Sequence, residues 1–189
     1  MIFNPLIHVL AGCARLPLAD AAPLRFRLTS PDIVPGGTIA DEQAYDGFGC
    51  TGGNVSPALE WSGAPAGTQS FALLVHDPDA PTGGAGWWHW LVVDIPAGTS
   101  GLPKGAGRID GSRLPAGASS LATDYGVPGY GGPCPPVGDA AHRYNFTLYA
   151  LKVARLELPK GATASLAGYL VNANAIGKAT LTGTYGRAR

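Results

Sequence analysis

Four segments of the chain have the hydrophobic pattern of β-strands. Residues 71–76 and 90–95 are almost continuously apolar, which is typical of central strands buried on both faces. Residues 24–29 alternate between apolar and polar positions, as a strand with one buried face does, and we expect the fold to start there. Residues 142–153 also alternate, with one face formed by Tyr144, Phe146, Leu148 and Ala150 and the other by Tyr149, Leu151 and Val153.

One segment has helical periodicity. Residues 162–178 are predicted as an amphipathic helix that ends at Gly177, and residues 179–185 as a last short strand. Residues 30–57 and 96–141 are rich in glycine, proline and polar residues, so we predict loops around short strands there. The second stretch is longer than a simple connection needs, which favours a functional role. The predicted apolar face of the helix consists of Leu166, Tyr169, Leu170, Ala173 and Ile176.

Composition and charge narrow the possible functions. With 189 residues, 46% of them hydrophobic, the chain can bury one core, and its 28 glycines and 17 prolines favour a loop-rich β protein. Thirteen basic residues balance 13 acidic ones, so no net field attracts nucleic acid or an anionic membrane. Any bound anion must therefore be held by local contacts. No apolar run reaches the roughly 18 residues needed to span a bilayer.

The first 22 residues are predicted as an N-terminal arm, followed by one domain over residues 23–189. Leu10-Ala11-Gly12-Cys13 is similar to a lipoprotein cleavage box, but no Lys or Arg precedes Cys13 and Asn4-Pro5 breaks the apolar stretch. We therefore expect a cytoplasmic protein, with an exported lipoprotein anchored through Cys13 as the alternative. Two placements of the arm are open: along its own domain, or across a second subunit in a homodimer.

The chain contains three cysteines and no C-x-x-C pair. An odd number without paired spacing argues against a disulfide framework and against a zinc ribbon. A single bridge between Cys50 and Cys134 stays open. Otherwise Cys134 is interpreted as a small buried residue, because no basic residue flanks it to activate a thiolate.

Polar side chains that can do chemistry are concentrated in four short motifs. Asp77-Pro78-Asp79-Ala80-Pro81 closes the first apolar run, and Trp87-Trp88-His89-Trp90 opens the second. Gly131-Gly132-Pro133-Cys134-Pro135-Pro136 and His142-Arg143-Tyr144 follow. Proline and glycine make these segments rigid and irregular, as the walls of a preformed pocket are. If the two runs pair as neighbouring strands, Asp77 and His89 lie at the same edge of the sheet.

These motifs, in this order and at this spacing, resemble the phosphatidylethanolamine-binding protein family and its bacterial Raf-kinase-inhibitor-like branch. Residues 53–61 and 181–185 are also similar to that branch, so the resemblance covers about residues 23–187. It implies a mostly β fold with a large central antiparallel sheet, a smaller packed sheet and a C-terminal helix. It also implies a non-enzymatic binding protein, with a role as a regulator or inhibitor through protein contacts. The ligand-binding positions that it implies are Asp77, Ala80, Pro81, Trp87, His89, Gly132, His142 and Tyr144.

The chemistry expected at this site is binding of a small anion such as phosphate or a phosphorylated headgroup. His89 and His142 would donate ring N–H groups and gain charge near their usual pKa of about 6.5, so that affinity rises as pH falls. Backbone N–H groups at Gly131-Gly132 would form an anion nest. Asp77 would either accept from a histidine N–H or share a proton with the ligand.

Several nearby residues are given structural roles instead. We interpret His76 as a packed residue at the edge of the core and Asp79 as the cap of its turn. Arg143 alternates with its neighbours on the strand, so it faces away from the pocket and is expected to form an ion pair.

The alternative function is a hydrolase that uses Asp77, His89, His142 and Ser56, or a metallohydrolase whose ligands are two histidines and two aspartates. No Gly-x-Ser-x-Gly elbow supports it. We expect no cofactor and no resident metal.

Overall fold

The computed structural model describes residues 25–189, and the predicted N-terminal arm with Cys13 lies outside that range. Within these residues, ten strands form a three-stranded sheet, a five-stranded sheet and a two-stranded hairpin, with every strand pair antiparallel, and there is one helix. The elements are β1 Arg27–Thr29, β2 Asp46–Gly47, β3 Cys50–Thr51, β4 Leu59–Ser62, β5 Ser70–Asp77, β6 Trp87–Pro96, β7 Gly101–Leu102, β8 Ser119–Ser120, β9 His142–Leu151, α1 Ala164–Asn174 and β10 Ala175–Tyr185.

The five-stranded sheet has the order β10-β9-β5-β6-β8 and is the central layer. Its long strands β5, β6 and β9 are the three strands that the apolar runs predict. The three-stranded sheet, in the order β1-β4-β7, covers one face of the central layer, and α1 covers the other. The mostly β architecture with a large sheet, a smaller sheet and a C-terminal helix is confirmed.

Two hydrophobic clusters occupy the two faces of the central sheet. Alternate residues of each long strand enter opposite clusters, as the period of a strand requires. On β5, for example, Leu73 packs toward the small sheet, whereas Leu74 packs toward the helix. On β9, Phe146 and Leu148 enter the first cluster and Leu151 the second, so the predicted faces of this strand are confirmed. Burial on both sides explains why β5 and β6 are continuously apolar.

The helix is shorter than predicted and buries a different face. It ends at Asn174, and from Ala175 the chain pairs with β9 as strand β10, so the predicted last strand starts four residues early. Gly177 is not a helix cap; it lies in β10, where an added Cβ would sit 2.6 Å from the Pro65 ring. The buried positions are small: Ala164, Ala167, Gly168 and Val171, whereas Leu166, Tyr169, Ala173 and Ile176 of the predicted apolar face are exposed.

Small residues let the helix approach the sheet closely. Gly168 faces the Trp88 ring, whose nearest atom lies 3.7 Å from where a Cβ would be. The helix begins at an N-cap, Thr163, whose side chain accepts a hydrogen bond from the backbone N–H of Leu166. Packing against the sheet, rather than the periodicity of bulky residues, therefore selects the buried face.

Cys50 and Cys134 form a disulfide, with their Cα atoms 6.0 Å apart. The alternative interpretation of Cys134 as a small filler is wrong, because its sulfur is bonded. The bridge joins β3 to the Gly-Gly-Pro-Cys-Pro-Pro segment across a sequence separation of 84 residues. Arg187 joins the same two regions by donating to the carbonyl oxygens of Gly49 at 2.6 Å and Pro135 at 3.3 Å.

Within residues 25–189, the structure contains no helix with the length and apolar character needed to cross a bilayer. The predictions that concern the first 22 residues, namely the arm, its dimer contact and lipidation at Cys13, fall outside the described residues.

Candidate ligand-binding site

Four predicted site residues share one face at the end of the central sheet. Asp77 is the last residue of β5 and lies opposite Trp87, the first residue of β6. His142 and Tyr144 are alternate residues of the neighbouring strand β9, so their side chains project on the same side. Tyr144 belongs to the cluster beneath the small sheet, which places the group on that face.

A β-bulge at the start of β6 brings His89 to this face as well. The pairing of β5 with β6 skips His89, because Val75 is opposite Trp90 and the next residue of β5 is opposite Trp88. An extra residue in one strand re-aims the side chains beside it. The His89 ring accordingly packs edge-on against Tyr144, with ring centroids 5.0 Å apart.

Asp77 accepts three hydrogen bonds and is almost fully buried. Its Oδ1 accepts from the backbone N–H groups of Asp79 at 2.8 Å and Ala80 at 3.1 Å, and its Oδ2 lies 2.8 Å from Nδ1 of His142. Because a carboxylate only accepts, Nδ1 of His142 is the donor. Of the two arrangements considered for Asp77, the structure contains the one in which it accepts from a histidine. Asp77 also caps its own turn.

Asp79 does not cap that turn, which corrects the prediction from sequence. Its carboxylate accepts from the Arg143 backbone N–H at 2.9 Å, from Nε at 2.9 Å and from Nη2 at 2.7 Å. The hydrogen bonds from the Arg143 side chain lower the pKa of Asp79 to about 2. The expected ion pair of Arg143 is thus present, and it lies outside the site.

His89 is buried and held by one hydrogen bond. Its Nδ1 lies 2.7 Å from the carbonyl oxygen of Gly131, and its Nε2 has no partner within the protein. Burial lowers the pKa of His89 to about 4, although the bond to Gly131 and the Asp77 charge oppose this effect. The expectation that His89 gains charge near pH 6.5 is therefore wrong.

The predicted anion nest is absent from the Gly131-Gly132 turn. The N–H of Gly132 donates to Oδ1 of Asn54 at 2.8 Å, and that of Gly131 donates to the carbonyl oxygen of His89 at 2.9 Å. Gly132 is needed for a different reason: a Cβ there would overlap the Gln43 carbonyl oxygen. Its role is to let two segments pass at close range.

The side chains of the shared face enclose a cavity of about 230 Å³. Seven of the eight predicted site residues line it, and Gly132 does not. Cys134 and Pro135 of the Gly-Gly-Pro-Cys-Pro-Pro motif both line it. Three of the lining residues missing from the predicted set belong to the Gly-Gly-Pro-Cys-Pro-Pro motif, and the other three lie outside the four motifs. The added lining residues are Phe48, Thr82, Tyr125, Cys134, Pro135 and Pro136.

Three buried polar atoms on lining residues make no well-aligned hydrogen bond within the protein: Nε1 of Trp87, Nε2 of His89 and the hydroxyl of Tyr144. The nearest polar side chains are Tyr125 for Trp87 and Asp77 for Tyr144. Burial raises the pKa of Tyr144, so this hydroxyl stays protonated and able to donate. Buried polar groups almost always have a hydrogen-bond partner, so three such atoms on one small cavity make it the candidate binding site. Within residues 25–189, the other two such atoms are the indole nitrogens of Trp61 and Trp90, which do not line this cavity.

A larger cleft of about 540 Å³ lies on the other side of Tyr125, which lines both spaces. Arg108 and Arg113 lie on its rim, and backbone from glycine-rich segments forms much of its wall. Within residues 25–189, none of the buried side-chain atoms that lack a partner belongs to its lining. This difference favours the smaller cavity as the binding site.

Across residues 25–189, no group of three or more His, Cys, Asp and Glu side chains is arranged to hold a metal ion.

Comparison with known proteins identifies the family. A family model described as phosphatidylethanolamine-binding protein matches residues 29–186. The chain belongs to the phosphatidylethanolamine-binding protein family. The UPF0098 protein YbcL of Escherichia coli is 49% identical over 160 residues, which cover 85% of this chain and 87% of YbcL. YbhB of the same organism is 40% identical over 159 residues, covering 84% and 99%.

Solved structures of family members have the same fold. The crystal structure of Escherichia coli YbcL, described as a member of the mammalian PEBP family, matches with a TM-score of 0.83 over 85% of this chain and 98% of that one. The homologue CT736 of Chlamydia trachomatis, 32% identical, matches with a TM-score of 0.71 over 86% and 97%. The family resemblance inferred from the motifs is therefore confirmed.

Another relative bears on location. LppC of Mycobacterium tuberculosis, which has the word lipoprotein in its name, is 41% identical over 172 residues, covering 91% of this chain and 77% of LppC. An exported location for this chain therefore stays open beside the cytoplasmic one.

Proposed function

We propose that this protein is a non-enzymatic binding protein whose cavity at the end of the central sheet holds a small anion, either phosphate or a phosphorylated headgroup. The observation that carries the proposal is the set of three unpartnered polar atoms on Trp87, His89 and Tyr144. The Trp87 N–H and the Tyr144 O–H are donors, which anionic oxygens need. The family membership supports a ligand of this class.

The size and the charge of the cavity agree with a small group. At about 230 Å³ it is smaller than the roughly 300–1,000 Å³ of sites for drug-sized ligands. No Lys or Arg is among its lining residues, and the Asp77 carboxylate is engaged by His142 and by two backbone N–H groups. The remaining charge is low, so neutral donors must do most of the binding.

The hydrolase alternative receives no support from the hydroxyl groups near the cavity. Ser56 lines the larger cleft instead, and its Oγ accepts from the N–H of Gly107 at 2.8 Å. Thr82 does line the cavity, but its hydroxyl donates to the carbonyl oxygen of Gly86 at 2.9 Å. No base is paired with either, whereas a serine or threonine nucleophile needs one within hydrogen-bond reach.

Isothermal titration of inorganic phosphate into the intact protein tests the proposal. Tyr144→Phe removes a hydroxyl that has no partner within the protein, so the fold should be unaffected and the affinity should fall at least about tenfold, as for a hydrogen bond to a charged group. Tyr169→Phe is the matched control, because Tyr169 is 70% exposed on the helix, and its affinity should equal that of wild type. Equal affinities for all three proteins, or stoichiometric zinc in protein purified without chelator, would contradict the proposal.

A further inference from the structure

The hydrogen bond of His89 fixes which of its ring nitrogens carries the proton. Nδ1 lies 2.7 Å from the carbonyl oxygen of Gly131, and a carbonyl oxygen can only accept. The proton is therefore on Nδ1. In the neutral ring, Nε2 then has a lone pair and no hydrogen, so the atom that His89 presents to the cavity is an acceptor.

The surroundings of His89 keep the ring neutral. The titratable groups that face it are His76 and Asp77 on β5, Tyr125 in the loop before the Gly-Gly-Pro segment, and His142 and Tyr144 on β9. Only Asp77 among these favours the charged ring, and its charge is already shared among three hydrogen bonds. Burial outweighs it, so the pKa of His89 lies well below neutral pH.

An acceptor in this position restricts the ligand. An ionised oxygen placed against Nε2 would bring two lone pairs together in a buried site. No Lys or Arg among the lining residues offsets that repulsion. A ligand oxygen that carries a hydrogen would instead donate to Nε2.

We propose that the cavity selects a phosphoryl group that retains one proton, with its P–OH donating to Nε2 of His89 and its ionised oxygens accepting from Trp87 Nε1–H and Tyr144 O–H. This inference rests on the proposed anion site and specifies its ligand class. Inorganic phosphate keeps such a hydroxyl at neutral pH, and a phosphate monoester keeps one below its second pKa of about 6. Sulfate and phosphodiesters have none, so the site excludes them although they have the same tetrahedral shape.

Titration calorimetry at pH 6 with four probes tests the selection. Inorganic phosphate and O-phosphoethanolamine should both bind. The one with the higher affinity shows whether free phosphate or a phosphorylated headgroup is the better ligand. Sulfate and dimethyl phosphate bind about ten- to a hundredfold more weakly, because each leaves Nε2 without a donor. Equal affinity for phosphate and sulfate, or tight binding of the diester, would overturn the inference and leave the anion site standing. No binding by any probe would refute the anion site itself.

The pH dependence separates titration of the ligand from titration of the protein. A monoester loses its second proton at a pKa of about 6, so its affinity should fall about 25-fold between pH 5.5 and 7.5. Methylphosphonate, whose second ionisation lies higher, should show the same fall at a correspondingly higher pH. A midpoint that stays at one pH for both ligands would mean that the protein titrates, which contradicts the proposal.

The tautomer itself is measurable in the unmodified protein. Long-range proton–nitrogen NMR spectra of ¹⁵N-histidine protein should show His89 protonated at Nδ1 and bare at Nε2 from pH 5.5 to 7.5, both with and without phosphate. His89→Gln, whose amide offers a donor as well as an acceptor, should reduce the phosphate-to-sulfate affinity ratio to near one. A His89 ring protonated at Nε2, whether neutral or charged, would refute the selection mechanism even if the variant fails to fold.

Discussion

Removing the Cys50–Cys134 disulfide should cost several kcal/mol of stability. The cross-link spans 84 residues, and in the chain-entropy relation a loop of this length reduces the entropy of the unfolded chain by an amount worth about 4.5 kcal/mol at 25 °C. The double variant Cys50→Ala/Cys134→Ala lacks this restraint. Its free energy of unfolding should fall by about that amount, which at a urea slope near 2 kcal/mol/M shifts the midpoint by about 2 M.

Equilibrium urea unfolding under non-reducing conditions measures the difference. Cys13→Ala is the control for loss of a thiol and should leave the midpoint unchanged. Reduction of the wild type should lower its midpoint to that of the double variant and should leave the double variant unaffected. Thiol titration adds a direct count, since an unreduced denatured chain should expose at most one of its three thiols.

The folded cavity should survive removal of the bridge. Arg187 still joins the two regions through the carbonyl oxygens of Gly49 and Pro135, so the phosphate affinity should change far less than the stability does. Equal urea midpoints for wild type and the double variant, or three reactive thiols in unreduced protein, would refute this reasoning.

Two further predictions concern the close approach at the Gly-Gly-Pro segment and the exposed ion pair. In equilibrium urea unfolding, Gly132→Ala should lower the free energy of unfolding by about 1–3 kcal/mol, because the new Cβ would overlap a backbone carbonyl. Gly98 has open space around it, so Gly98→Ala should have little effect in the same assay. Asp79 has a pKa lowered from 3.8 to about 2 by Arg143, so its stabilising contribution is present above pH 4 and is lost as pH falls toward 2. Arg143→Gln should therefore flatten the dependence of melting temperature on pH between 4 and 2; an unchanged slope would contradict that assignment.

The long strands could be predicted from sequence because their surroundings leave a simple pattern. Burial on both faces makes residues 71–76 continuously apolar, and pairing of β5 with β6 places Asp77 near His89. The helix could not be predicted as well. Its buried face uses alanine, glycine and valine, which give a weaker pattern than the exposed Leu166 and Tyr169.

Part of the candidate site could also be predicted from sequence. Motif similarity identified seven lining residues, but it could not predict hydrogen-bond partners that come from distant segments. Gly132 is needed because it passes close to the backbone of Gln43, which is 89 residues away in the sequence. The bulge that re-aims His89 depends on the register of β5 with β6. The protonation of His89 follows from the Gly131 carbonyl and from burial, neither of which a sequence pattern shows.

A crystal structure of the intact protein soaked in phosphate at pH 6 tests the central claim most directly. The account predicts tetrahedral density in the small cavity, within hydrogen-bond distance of Nε2 of His89, Nε1 of Trp87 and the Tyr144 hydroxyl. Phosphate found only at the rim of the larger cleft, near Arg108 and Arg113, with the small cavity holding water, would contradict it.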